Sequence, residues 1–278
     1  MKCCPTFPDR YNSAIVRIAA LVTVLLVACG AAAYVYLERR PATPPPEVTQ
    51  PADDDAWLDH LYHANPADVA AATAQVQQLG PRALPLIHKT LQDPTATSEH
   101  VKAALKACGI LGPAAAPAID EVAEQLPDPT VTAEAAVALS FMGRGAFGPL
   151  REAAASDDPV VRREALRSIG KLKERAPLDA RAVIPLLING ATDTDPGVRA
   201  VAVTYLGIIH EGGADAVEAL IIGLRDPEGD VRRASATALG SFGAEAANAL
   251  PALKKASTDS DPEVAREAGA TLVKLLSK

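Results

Sequence analysis

The side chains from which a reactive centre could be built are few: five histidines and four cysteines in 278 residues. His60 and His63 stand i, i+3 and could chelate a metal, but no Cys or registered Glu joins them, so the pair reads as polar surface. His210-Glu211 is a single acid–imidazole dipeptide placed just before Gly212-Gly213. The run Gly143 to Gly148, GRGAFG, has glycines and a basic residue, but it follows a helical pattern rather than a strand, which removes the phosphate-loop reading. Cys108 has no basic neighbour to lower its thiol pKa and reads as a small buried hydrophobe. No Ser/His/Asp or Cys/His arrangement stands in a recognisable context. The sequence therefore assigns no catalytic residue, no metal ligand and no cofactor.

What must position any functional side chain is a phrase that returns about every 33 residues, in ACGILG, ALSFMG, SIGKLK, YLGIIH, ALGSFG and TLVKLL. One column reads Gly109, Ser140, Gly170, Gly207, Gly240, Val273. Eight positions upstream stand Val101, Thr132, Arg162, Arg199, Arg232 and Ala265. Around the Gly column, apolar or small residues recur at helical spacing, and small residues at Ala104, Ala135, Ala165, Ala202, Ser235 and Ala268 permit close helix packing. An Asp-Pro pair precedes each copy, at Asp93, Asp128, Asp158, Asp195, Asp226 and Asp261, and reads as an N-cap with Pro at the first helical position. Upstream of each pair lies a second apolar stretch, so each unit is a hairpin of helix A and helix B. No stretch alternates with period two, and aromatic residues make up only 4% of the chain, so nothing argues for strands. An isolated hairpin cannot bury its stripe, so the copies must stack into a solenoid with a continuous core.

The phrases DPVVRREALRSIG, DPGVRAVAVTYLGII and DPEGDVRRASATALGSFG resemble HEAT repeats, specifically the short bacterial type found in phycobilisome lyases. The resemblance implies that the B helices line a concave surface holding another macromolecule, and that loop Asp and helix Arg residues form an internal ladder. By position, that ladder would use Arg162, Arg199 and Arg232 with Asp158, Asp195 and Asp226 as available partners. His210-Glu211 also resembles the His-Glu dipeptides that bind iron in deoxyhypusine hydroxylase, another HEAT-like family, but that family repeats the dipeptide and this chain has one.

Binding suits such an array better than catalysis. The B-helix positions off the apolar stripe carry Lys102, Lys106, Arg163, Arg167, Lys171, Arg233, Arg266 and Lys274 against Glu134, Glu164 and Glu267. From Val48 onward the chain has 22 Lys and Arg against 31 Asp and Glu, so a basic ribbon is a local reversal suited to an acidic protein or peptide. Phe141 and Ile208, with Val137 and Val201, supply apolar anchors on the same face. Overall acidity and the lack of interleaved aromatic residues argue against nucleic acid.

Ahead of the repeats, residues 18–37 form a charge-free run long enough to span a hydrocarbon core, following a tail of residues 1–17. Residues 38–54, rich in Pro and acidic side chains, read as a stiff spacer. Residues 55–80 read as an atypical capping hairpin, and residues 81–278 as six repeats. Lys2, Arg10 and Arg17 before the span favour a cytoplasmic N-terminus and an extracytoplasmic solenoid. A lipoprotein signal ending at Cys29 is the alternative, since Leu26-Val27-Ala28-Cys29 resembles a lipobox. The fold expected is thus all-α: an α-solenoid of stacked helical hairpins, preceded by one transmembrane helix. Its expected function is a membrane-anchored scaffold for a protein or peptide. The alternatives are a lyase or isomerase acting on a bound chromophore or protein, which rests on the family resemblance alone, and an assembly element that stacks end to end.

Overall fold

The computed structural model describes residues 56–62 and 65–277. The expected tail, membrane span and spacer, with Cys3, Cys4, Cys29 and His63, lie outside the described residues. Among the described residues, no helix is long and apolar enough to cross a membrane.

The described chain is helical throughout. A first pair, α1 (Ala56–Leu61) and α2 (Pro66–Leu79), precedes six hairpins. The A helices are α3 (Leu84–Gln92), α5 (Ile119–Ala123), α7 (Phe147–Ala153), α9 (Ala180–Gly190), α11 (Gly213–Gly223) and α13 (Leu250–Ala256). The B helices are α4 (Ser98–Leu111), α6 (Thr132–Phe141), α8 (Pro159–Arg175), α10 (Pro196–Ile209), α12 (Gly229–Phe242) and α14 (Pro262–Leu276). Between layers runs one core, filled by side chains such as Leu139, Leu150, Ile169, Leu187, Leu206 and Leu220, all fully buried.

Local signals start and stop these helices. Asp158, Asp195 and Asp261 each accept a backbone N–H from the first turn of α8, α10 and α14, with Pro following. The other three Asp-Pro pairs do not start a helix. Asp93 and Asp128 instead fold into tight turns, accepting the N–H and hydroxyl of Thr95 and Thr130, and α4 takes Thr97 as its cap. At the end of α4, Gly112 adopts φ 57°, a left-handed conformation that L side chains resist, and the chain turns through a short 3₁₀ segment into α5. The longest step between copies, Gly170 to Gly207, is absorbed by an extended α8 and a loop where Lys173 Nζ donates to the Leu178 carbonyl at 2.8 Å.

The B helices pack tightly against one another along the array, while A helices meet their A neighbours sparsely. The B-helix face is the one that the family resemblance expects to be inner. The Gly column explains the closeness. A Cβ at Gly207 would stand 2.6 Å from the Cα of Ala238, and one at Gly170 would enter the Tyr205 ring. These are backbone and ring contacts that no rotamer change relieves. At α14 the same column holds Val273, which is 67% exposed.

The capping pair departs from the repeat. Helix α1 packs on α2 and on α4, two helices that lie in or beside the B layer, rather than joining the A layer against α3. Trp57, Leu58 and Leu61 are buried there, and two polar contacts hold the C-terminal half of the docked helix. Asp59 Oδ1 lies 2.9 Å from His100 Nε2, and Lys106 Nζ donates to the Leu61 carbonyl at 3.2 Å.

Candidate functional site

Six repeats set six residues of each type in register, but the side chains do not all reach the same surroundings. The arginine column forms a ladder. Arg162, on the first turns of α8, donates from Nε and Nη2 to both oxygens of Asp193 at 2.8 Å, and from Nη1 to the carbonyls of Ser156 and Asp157. Arg199 repeats this with Asp226, at 2.7 and 2.9 Å, and Arg232 with Asp259, at 2.9 and 3.0 Å. Each guanidinium thereby ties its own loop to the loop of the next copy. The Arg162 guanidinium holds the Asp193 carboxyl below the usual carboxylate range, and Arg232 does the same to Asp259. At Asp226, burial opposes ionisation, and the hydrogen bonds from Arg199 and the Glu228 amide outweigh it.

This corrects two of the three expected acceptors. Asp158 and Asp195 are helix caps, whose carboxylates are already taken by backbone N–H groups, while Asp193 and Asp259 sit two residues ahead of the capping position. Asp226 is equivalent to these, and Glu228 is the capping position of its copy. A signal for this was present: Asp193, Asp226 and Asp259 recur at intervals of 33.

The expected basic ribbon is not a continuous positive surface. Glu164, 5% exposed, lies between Arg163 and Arg167 and accepts from both, at 3.2 and 3.0 Å. Arg233 pairs with Asp230, and Arg266 with Glu263 and Glu267. The neutralising Asp230 and Glu263 lie one turn upstream, outside the columns the ribbon was drawn from. Lys171 and Lys274 have no ion pair among the described residues.

The inner face opens instead in two places. The larger is a trough of about 800 Å³. One wall is α4, with Lys102, Lys106 and Ile110; the other is α6, with Glu134, Val137 and Phe141; the C-terminus of α1, at Leu61 and Tyr62, closes one end. Tyr62, Val137 and Phe141 are 45%, 38% and 39% exposed and together form an apolar strip. Cations border it. Lys102 Nζ is 4.0 Å from Glu134 and 5.8 Å from the Tyr62 ring centre, and the Arg175 guanidinium stacks 4.0 Å from the centre of Phe141. The second opening, of about 590 Å³ between α10 and α12, holds Ile208, His210 and Arg233 among Thr204, Thr237 and Ser241. Three expected anchors, Lys102, Lys106 and Phe141, thus meet in the first opening, and Ile208 and Arg233 in the second.

Burial pushes the Cys108 thiol up to about 12, with the Glu121 charge adding to the effect. His210 Nδ1 is 2.9 Å from the Ile208 carbonyl, and Glu211 pairs with Lys173. Among the described residues, no group of three or more His, Cys, Asp or Glu side chains is placed to hold a metal.

The layered helical hairpins define an α-solenoid. The family model for HEAT repeats matches residues 147–237 and 217–277, so that stretch of the chain is similar to HEAT repeats. Importin beta shares the fold, with a TM-score of 0.57 at 14% identity over 81% of this chain and 34% of its own. More distant in structure are the CpcE–CpcF complex of phycocyanin lyase from a Nostoc species and a designed armadillo repeat protein for modular peptide recognition. The first has a TM-score of 0.46 at 23% identity over 56% of this chain and 98% of its own. The second has 0.42 at 20% identity over 79% and 98%. No curated protein matches the chain.

Proposed function

We propose that this chain is a recognition scaffold that takes a protein or peptide partner on its inner face, without catalysing a reaction. The observation that carries this reading is the open trough of about 800 Å³ between α4 and α6, lined by exposed apolar side chains and bordered by cations. A concave apolar strip with a charged border offers desolvated contact at its centre and orientation at its edge. The acidity expected of the partner follows from Lys102, Lys106 and Arg175 standing at the trough in a chain of net charge −7. Residues 18–37 would hold the scaffold at a membrane, residues 38–54 would space it from the bilayer, and the positive-inside bias places the array on the extracytoplasmic side.

The test is site-specific crosslinking in native membranes, with a photoreactive residue placed at Phe141 or, on the opposite side, at Ile222. A partner captured from position 141 and absent from position 222 is expected; equal capture from both would sink the inner-face assignment. Deleting residues 18–37 should move the protein from the membrane to the soluble fraction.

A further inference from the structure

The chain already shows how its inner face accepts a helix. Helix α1 is a six-residue amphipathic segment, AWLDHL, that buries Trp57, Leu58 and Leu61 on α2 and α4. It presents oxygen atoms to nitrogen groups of α4. The carboxylate of Asp59 meets His100, and the C-terminal carbonyl of Leu61, at the negative end of the helix dipole, takes Lys106. The trough begins where α1 stops, at Leu61 and Tyr62, and continues along α4 and α6.

The walls of the trough carry helical spacing. Lys102, Lys106 and Ile110 are one turn apart on α4, and Glu134, Val137 and Phe141 follow one face of α6. A third helix laid along the two can pack its ridges between their side chains, as α1 does on α2 and α4. The ammonium of Lys106 spends one donor on Leu61, and Lys102 stands beyond hydrogen-bond distance of Glu134, so both keep donors for a ligand.

Resting on the recognition reading above, we infer that the trough between α4 and α6 binds an amphipathic helix of about three turns. Its apolar face packs on Val137, Phe141 and Ile110, and carboxylates one turn apart reach Lys102 and Lys106. The occupant extends the docking surface that α1 begins. This is the helix-in-groove mode of peptide recognition, specified by apolar anchors at i, i+3 or i+4 and i+7.

A phage-displayed library of random 16-residue peptides, panned on the full chain in detergent micelles, tests this. Recovered peptides are then synthesised and their binding measured by fluorescence anisotropy and circular dichroism. The expected winners carry apolar residues at helical spacing with Asp or Glu one turn apart, and gain helicity on binding. K102E should weaken them at least tenfold and V137D likewise, with R233E changing affinity less than twofold. Thermal melts of each variant establish that it folds, and K102E, on the rim, stands in should V137D fail. Winners that bind without helix, or that ignore K102E and V137D but are lost in R233E, overturn the inference and leave the scaffold reading standing. No winners at all would overturn both.

Discussion

The first two repeats and the last four are cut from one pattern, yet they hold together by different means. From α8 to α14, three arginines stitch successive loops with bidentate pairs, and at Gly207 the helix backbones of α10 and α12 come into direct approach. In the first two copies the arginine column holds Val101 and Thr132, and no such pair exists. Contacts there are looser. A Cβ at Gly109 would find nothing nearer than 3.9 Å, where one at Gly207 would collide. The difference teaches that a repeat array can vary along its length, with loops stitched by arginine at one end and an open trough at the other.

The contrast is broken most directly in the Gly column. G207A should cost about 1–3 kcal/mol, because the added methyl must push the backbone of Ala238 aside. G109A, at the equivalent position, should be neutral or add about 0.5–1 kcal/mol through helix propensity. Urea melts of the two variants with opposite signs are the expected result; equal losses would remove the claim that the two ends differ in packing.

Next in size is the ladder. Arg199→Ala should destabilise by about 3 kcal/mol, since it strands the nearly buried carboxylate of Asp226. Arg199→Lys should recover only part of that, lacking the fork that reaches both oxygens and two carbonyls. Hydrogen exchange should show the loss concentrated in α10 to α12.

Acid sharpens the same comparison. Asp193, Asp226 and Asp259 have folded pKa values held below the ordinary 3.8. Their stabilisation is therefore complete above that value and is lost as pH falls through the lowered folded values. Amide exchange at successively lower pH should show protection around α8 to α14 declining across that window, and ladder removal by Arg199→Ala should shrink the decline. The smallest effect is expected at a cap: Asp158→Ala should cost about 1 kcal/mol in thermal or urea melts, because Asp158 satisfies one N–H of α8 and takes no part in the ladder.

The helical hairpins, their column of glycines and the solenoid itself were readable because each signal is local and repeats. A wrong guess in one copy is outvoted by five others. The ladder's register was readable only in part, since the Asp-Pro pairs at Asp158 and Asp195 point to the capping carboxylates rather than the pairing ones; the interval from Asp193 to Asp226 to Asp259 held the answer. The trough was half visible. Lys102, Lys106 and Phe141 stood out by column, but the neutralisation of Arg163 and Arg167 by a buried Glu164 depends on which way that carboxylate turns. The position of α1 left no trace of period, for a six-residue helix is too short to show one, and its place on the inner face is decided by packing far along the chain.

Val273, standing in the Gly column of α14, bears on how molecules of this kind meet. Head-to-tail addition of one array onto another is the open-ended contact from which fibres grow. A second array docking by the geometry used at Gly207 would need its helix backbone where the isopropyl group of Val273 already stands. A branched side chain at this column therefore stands against the close approach that glycine permits at Gly207, with an apolar surface that carries no charge to lose to salt or acid.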